Sequence, residues 1–331
     1  MRVLVGGGTG FIGTALSQLL NARGHEVTLV SRQPGPGRIT WDELAASGLP
    51  SCDAAVNLAG ENILNPLRRW NETFQKEQPL SLALQPEFLQ GRNTSGPGEG
   101  QGENIQMALS PNGEILRAKE GEAKEASTTE SQAGPRTPRA NECVPPAAYY
   151  QPSLTAEYDE DSPGGDFDFF SNLVTKWEAE ARLPGDSTRQ VVVRSGVVLG
   201  RGGGAIGHML LPFRLGLGGP IGSGHQFFPW IHIGDLAGIL THALEANHVH
   251  GVLNGVAPSS ATNAEFAQAL GAALGHRAFI PVPSTIVQAV FGRERAIMLL
   301  EGQKVIPRRT LATGYQYSFP ELGAALKEIV A

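Results

Sequence analysis

Cysteine is scarce. The 331 residues hold two, Cys52 and Cys143, too few for a disulfide framework and wrongly spaced for a metal-ligand pair. Inert thiols of a reducing compartment are the simplest reading, and no metal site is expected. Long apolar runs are also missing: none approaches the roughly 20 residues that cross a bilayer, although 41% of the chain is hydrophobic and a full core can be buried. The first apolar strand starts at residue 2, so no charged or apolar leader is expected. These absences predict an intracellular, soluble protein with no membrane partner, cytoplasmic in the simplest reading, with nucleus or organelle as alternatives. An excess of positive charge is lacking too. Lys and Arg number 26 against 32 Asp and Glu, a net of −6, which argues against nucleic acid as a partner.

Glycine, by contrast, is abundant and placed. An apolar run, Val3-Leu4-Val5, leads into Gly6-Gly7-Gly8-Thr9-Gly10-Phe11-Ile12-Gly13. A helical stripe of Phe11, Ile12, Ala15, Leu16, Leu19 and Leu20 follows, then a β-rich run, Val27-Thr28-Leu29-Val30. Strand, glycine turn, helix and strand form the unit that cradles a dinucleotide pyrophosphate. Gly7 allows the tight turn, Gly10 the approach of backbone to phosphate, and Gly13 the close packing of helix on strand, while the helix N-terminus faces the anion. The second strand ends in Ser31-Arg32, and the next acid is Asp42. A unit for NAD ends that strand in Asp or Glu, whereas a 2′-phosphate wants a cation. Arg32 therefore predicts NADP(H), the alternative being a solvated surface arginine.

Asp53-Ala54-Ala55-Val56-Asn57-Leu58-Ala59-Gly60 reads as a buried strand ending in a small-residue turn. Asn57, Leu58, Ala59 and Gly60 would let backbone approach the adenosine half of the cofactor at the carboxyl end of the sheet. With Gly-Gly-x-x-Gly-x-x-Gly, Ser-Arg and Asn-Leu-Ala-Gly in place, the chain resembles the extended, atypical short-chain dehydrogenase/reductases, specifically their sugar-epimerase-like family 39U. Later segments add to the resemblance: Arg194-Ser195-Gly196, Trp230-Ile231-His232, Asn254-Gly255-Val256 and Gly302-Gln303-Lys304-Val305. It covers residues 1–77 and 147–331. It implies a Rossmann fold, an NADP cofactor contacted by Gly7, Gly10, Phe11, Ile12, Gly13, Ser31, Arg32, Asn57, Leu58, Ala59, Gly60 and Glu77, and an oxidoreductase of unsettled substrate.

Between those blocks, residues 78–146 are rich in Gly, Pro, Ser, Thr, Glu and Gln, a composition that does not offset the entropy of ordering. A disordered replacement of a helix and a strand is expected there, with residues 90–140 mobile. The sheet should then lack the strand between 53–60 and 190–200. Each buried amide left unpaired would cost about 1 to 3 kcal/mol against a total stability of about 5 to 15 kcal/mol.

Catalysis is the weakest part of the sequence. The resemblance aligns the helix around Ser171 to Glu178 on the family's terminal Glu, which puts Phe170 where the proton-transferring Tyr stands and Val174 where its partner Lys stands. Neither side chain can move a proton. Lys176 lies about 200° round the helix from Val174 and reads as an exposed lysine. Tyr149, Tyr150, His225 and His232 remain as weaker candidates, the last more often an orienting hydrogen-bonder in a Trp-Ile-His-x-x-Asp setting. Asp235 is expected to cap a helix, 222–235 to loop over a substrate cleft lined by His225, Gln226, Phe228 and Trp230, and Arg293, Arg295, Lys304, Arg308 and Arg309 to form a solvated face. The expected architecture is a doubly wound parallel α/β domain (1–77 and 147–260), the disordered 78–146, and a small helical cap (261–331). Three functions stay open: an NADP-dependent oxidoreductase or epimerase-like enzyme with unusual acid/base groups, acting on an unidentified small molecule; an NADPH-sensing module; and a chain that has lost function. Oligomeric state is left open.

Overall fold

The computed structural model describes residues 1–59, 104–109, 149–181 and 188–331. The chain opens as β1 (Arg2–Gly6), α1 (Phe11–Ala22), β2 (Glu26–Ser31), β3 (Arg38–Thr40), α2 (Trp41–Ser47) and β4 (Ala54–Asn57). It continues through β5 (Asn104–Leu109), β6 (Glu157–Tyr158), α3 (Phe169–Glu180), β7 (Thr188–Ser195), β8 (Val197–Gly200), α4 (Gly204–Arg214), β9 (Trp230–His232), α5 (Ile233–Glu245) and β10 (Gly251–Gly255). The last part is α6 (Asn263–Ala273), α7 (Ser284–Phe291), α8 (Arg293–Leu300), β11 (Lys304–Val305), α9 (Arg308–Ala312) and α10 (Leu322–Val330).

Seven strands form one sheet in the order β10-β7-β5-β4-β1-β2-β3, and every pairing is parallel. Strand order reverses at β1, so the crevice for a ligand lies beyond the carboxyl ends of β1 and β4. Alternation of side chains explains why both faces are covered. Val3, Val5, Ala54 and Val56 point into one core with Ile12, Leu16 and Leu20 of α1 and Leu236, Ile239 and Leu240 of α5. Leu4, Ala55 and Val30 point the other way, onto Leu44 of α2. A strand buried on both sides must be continuously apolar, which is what Val3-Leu4-Val5 and Ala54-Ala55-Val56 supply.

One expectation needs correction. The sheet does not lack a strand: β5, from inside the 78–146 segment, pairs with β4 through Ala54 to Asn57 and with β7 through Thr188 to Val193. Its sequence, Asn-Ile-Gln-Met-Ala-Leu, is a short β-compatible run within a polar stretch, and the unpaired edges of β4 and β7 supply a hydrogen-bonding template on both sides. The remainder of 78–146, and most of the 90–140 stretch expected to be mobile, lies outside the described residues.

The region 190–200, read as one strand, is two. At Gly196 the chain leaves the main sheet, its N–H bonding Gly255 O at 2.8 Å, and Val197 N–H turns to Pro229 O at 2.7 Å. From there β8 pairs with β9 as a separate ribbon. On this ribbon a second core forms from Leu199, Ile206, Phe213, Trp230, Phe266, Leu270, Leu326 and Ile329, so the C-terminal helices α6 and α10 pack on strands that continue the first domain. Asp235 does not cap α5. That position belongs to His232, whose ring accepts from Gly234 N–H at 3.1 Å. The buried Asp235 carboxylate instead accepts from the N–H groups of Ser318 and Phe319 at 2.7 and 2.9 Å, pinning the C-terminal segment to α5. Nor do the five basic residues form a solvated face. Lys304, Arg308 and Arg309 pair with Glu157, Asp159 and Asp161 where β11 adds to β6, Arg295 is buried, and of the five only Arg293 and Arg308 stand exposed, Arg308 while paired to Asp159.

The two-sided pairing of β5 makes a measurable demand. Amide hydrogen exchange across 104–109 should be slowed to the degree seen in β4, since both sets of amides open only with the sheet. Exchange at the rate of an unfolded chain would remove β5 from the fold.

Candidate functional site

The glycine turn has little steric freedom. Gly7 adopts a φ of 71°, and a Cβ there would lie 2.6 Å from Leu58 O, so the turn touches the backbone that leaves β4. A Cβ on Gly13 would lie 2.3 Å from Gly7 O; α1 therefore sits directly against the turn. Gly10 is the N-cap of α1 and offers no side chain to it, and the first turn carries no acid. The leading N–H groups of α1, from Phe11, Ile12 and Gly13, are thus left for an external anion. The Ile12 side chain is buried in the core, and Phe11 packs against Gly200, Gly203 and Gly204, so these two residues can reach a cofactor through backbone alone.

At the end of β2, Ser31 is buried and its hydroxyl bonds the backbone of Gln33, accepting from the N–H and donating to the carbonyl oxygen. That turn leaves Arg32 exposed, with no carboxylate partner among the described residues. Asn57 is buried, its Oδ1 accepting from Ala59 N–H at 3.1 Å, and Leu58 N–H bonds Gly6 O at 2.8 Å. The structure therefore gathers Gly7, Gly10, Gly13, Asn57, Leu58 and Ala59 at one crevice, with Arg32 at the neighbouring strand end. Gly60 and Glu77 lie outside the described residues. Trp41 borders this crevice, and Arg38 stands on the neighbouring strand. Trp41 lies beside Gly6, 3.2 Å from where a Cβ would stand, held by the capping box of Thr40 and Glu43. Arg38 is exposed on β3 beside β2. The Thr-x-x-Glu spacing is a readable signal for Trp41, whereas nothing in a three-residue strand announces Arg38.

A buried ion pair fixes the helix that carries the two expected acid/base positions. Arg194 of β7 donates from Nε and Nη2 to the two carboxylate oxygens of Glu178, both at 2.9 Å, and both side chains are buried. This locks the register of α3, so Phe170 and Val174, two turns and one turn before Glu178, are buried apolar side chains at 2% and 5% exposure. Arg194 also donates to the Tyr150 hydroxyl at 2.7 Å, which in turn donates to Asn254 at 2.9 Å. Tyr150 is 1% exposed and stacked on Tyr158, and burial raises its phenol above the ordinary value, with Arg194 opposing. That shift favours the neutral phenol, and its bonds to Arg194 and Asn254 tie it into the scaffold. Tyr149 lies under the Arg194 guanidinium, 3.5 Å from its ring centroid, with Gly164 against the ring; its hydroxyl has no hydrogen-bond partner among the described residues.

The remaining candidates have partners of their own or stand on a loop. His225 is exposed on its loop. His232 is buried, caps α5 through Nδ1, and therefore carries its proton on Nε2, 3.2 Å from Glu328; the network assigns that tautomer. Gln226 is buried and donates to the carbonyls of Ile221 and Leu299. Phe228 and Trp230 line a small surface pocket with Val256, Ala257, Ser259 and Lys304. Among the described residues no group of three metal-ligating side chains exists, and no helix is long and apolar enough to cross a membrane.

A parallel sheet of this order, with a glycine turn at its switch point, defines a dinucleotide-fold protein of the α/β class. Comparison with known proteins narrows it. Residues 3–78 match the NAD dependent epimerase/dehydratase family, and residues 282–329 match a domain of unknown function, DUF1731. The human epimerase family protein SDR39U1 is 78% identical over the full length of both chains. Its Arabidopsis thaliana homologue, described as chloroplastic, is 31% identical over all of this chain and 87% of its own. A crystal structure of human SDR39U1, isoform 2, with NADPH superposes with a TM-score of 0.82 at 76% identity, covering 99% of each chain. The chain belongs to this epimerase family, in the branch of SDR39U1.

The assignment of Tyr150 to the scaffold has a direct check. Tyr150→Phe should lower stability by about 1 to 3 kcal/mol, because Arg194 and Asn254 each lose a buried partner, while NADPH affinity by fluorescence titration stays within about twofold. A large loss of affinity with unchanged stability would return Tyr150 to the functional candidates.

Proposed function

We propose that the chain binds NADP(H) at the β1 to α1 turn, with Arg32 receiving the 2′-phosphate, and that it does so without the Tyr and Lys pair used for hydride chemistry in the wider superfamily. The observation that carries this reading is the buried Glu178 to Arg194 pair, which leaves no freedom to shift α3 and bring another side chain to the positions of Phe170 and Val174. Arg32 supports the cofactor half: it is exposed at the right strand end, and no acid stands in the place that would favour a ribose hydroxyl. NADPH in the human relative's crystal structure supports the same choice. The protein is then a cofactor-binding, sensor-like module with weak or absent turnover. A soluble, intracellular site fits this reading, and the chloroplastic plant homologue makes an organelle as reasonable as the cytoplasm.

A second reading is an NADP-dependent oxidoreductase or epimerase-like enzyme acting on a small molecule through an unusual proton carrier. Tyr149 favours it, being half-buried, cation-stacked by Arg194 and unpartnered at its hydroxyl among the described residues.

Two measurements separate these. Arg32→Ala should weaken NADPH by about tenfold or more, the scale of one charge-assisted contact, and leave NADH nearly unchanged, with Arg38→Ala giving a smaller effect. Equal loss for both cofactors would contradict the role of Arg32. Loss of a positioned acid/base group removes about 10²- to 10⁴-fold in rate, so a panel of carbonyl and alcohol substrates should give turnover at background with the unmodified chain. Robust turnover that Tyr149→Phe abolishes would establish the second reading instead.

A further inference from the structure

The C-terminal region carries an apolar surface that the cofactor crevice does not use. Helix α7 reads Ser-Thr-Ile-Val-Gln-Ala-Val-Phe, yet only Val287 of its eight residues is buried and six are exposed. A helix this apolar is normally enclosed. The loop that follows α4 lies alongside the chain entering α7: Ile280 N–H bonds Gly218 O, and Val282 N–H bonds Pro220 O at 2.8 Å. Leu211, Leu215, Leu217, Phe279, Ile286 and Val290 are all more than half exposed, Phe279 the most at 71%. At about 100 Å² per side chain they offer on the order of 600 Å², the upper end of what an ordinary monomer leaves uncovered.

Charge within the two segments that form this surface has one sign, although Glu294 follows directly on Arg293. Residues 204–221 and 276–293 contain no Asp or Glu, and they carry Arg214, Arg277 and Arg293, all exposed, in a chain whose net charge is −6. A second copy docked face to face would bring like-charged rims together. A protruding apolar helix also inserts into a partner more readily than it receives one. Apolar side chains ringed by arginine are what an interface of anionic headgroups over acyl chains accommodates.

We propose that α7, with the 211–217 and 279–280 segments, is a peripheral docking surface for an anionic lipid bilayer. The protein would lie on the membrane through this face and not span it. The proposal does not depend on what the cofactor crevice does.

The test is cosedimentation of the full chain with vesicles of equimolar phosphatidylcholine and phosphatidylserine, beside vesicles of phosphatidylcholine alone. The chain should bind the anionic vesicles, bind the neutral ones at least tenfold less, and release as salt rises. Ile286→Asp with Val290→Asp should abolish binding. Arg277→Ala with Arg293→Ala should weaken it by about fivefold for each arginine. Both variants change exposed side chains, and an unchanged unfolding temperature confirms that they fold. No sedimentation with anionic vesicles, equal binding to neutral ones, or unchanged binding by Ile286→Asp with Val290→Asp would overturn the proposal. So would a concentration-dependent dimer of the unmodified chain, without vesicle binding, that the same variant dissolves, because the face would then belong to a second copy.

Discussion

The buried ion pair between Arg194 and Glu178 is the contact on which the arrangement around α3 depends. Both groups are buried, and removing either would strand a charge at a cost of about 3 to 5 kcal/mol. The pair survives because its geometry is bidentate and because Arg194 directs its remaining donor to Tyr150. Through Tyr150 the network passes to Asn254, whose N–H is accepted by the buried Glu160 at 3.0 Å. Glu160 in turn accepts from Arg309 N–H at 2.9 Å. A single chain of polar contacts thus ties α3, β7, β10, the 149–161 segment and α9 together, and each member is satisfied by the next.

The same constraint decides what the site can do. Because α3 cannot rotate or slide without breaking the pair, the residues at its acid/base positions are whatever the sequence places eight and four positions before Glu178. Those are a phenylalanine and a valine. The cofactor half is built separately, from a glycine turn that packs on Leu58 and a helix start that leaves its N–H groups open. Recognition and proton transfer are therefore independent in this fold. A chain can in principle keep the first while losing the second, which is the reading proposed for this one.

Much of this architecture is legible in the amino-acid sequence. Full apolarity in Val3-Leu4-Val5 and Ala54-Ala55-Val56 marks strands buried on both faces, and Gly7, Gly10 and Gly13 mark the turn, because each glycine answers a local steric need. Three features are not legible. β5 hides in a polar segment because its order comes from the edges of β4 and β7, which are distant in sequence. Lys304, Arg308 and Arg309 look solvated because their partners, Glu157, Asp159 and Asp161, lie about 150 positions earlier. Asp235 and His232 exchange their expected roles, since either can cap a helix and only the approach of Ser318 and Phe319 decides which carboxylate is needed elsewhere.

The account rests on a crevice that holds NADPH with no ionisable side chain at its reacting end. A crystal structure of this chain with NADPH tests that most directly. It should show the 2′-phosphate on Arg32 and, around the nicotinamide C4 and the space a substrate carbonyl would fill, only Phe170, Val174 and backbone. A tyrosine or histidine standing within about 3.2 Å of that carbonyl position, the reach of a general acid or base, would contradict it.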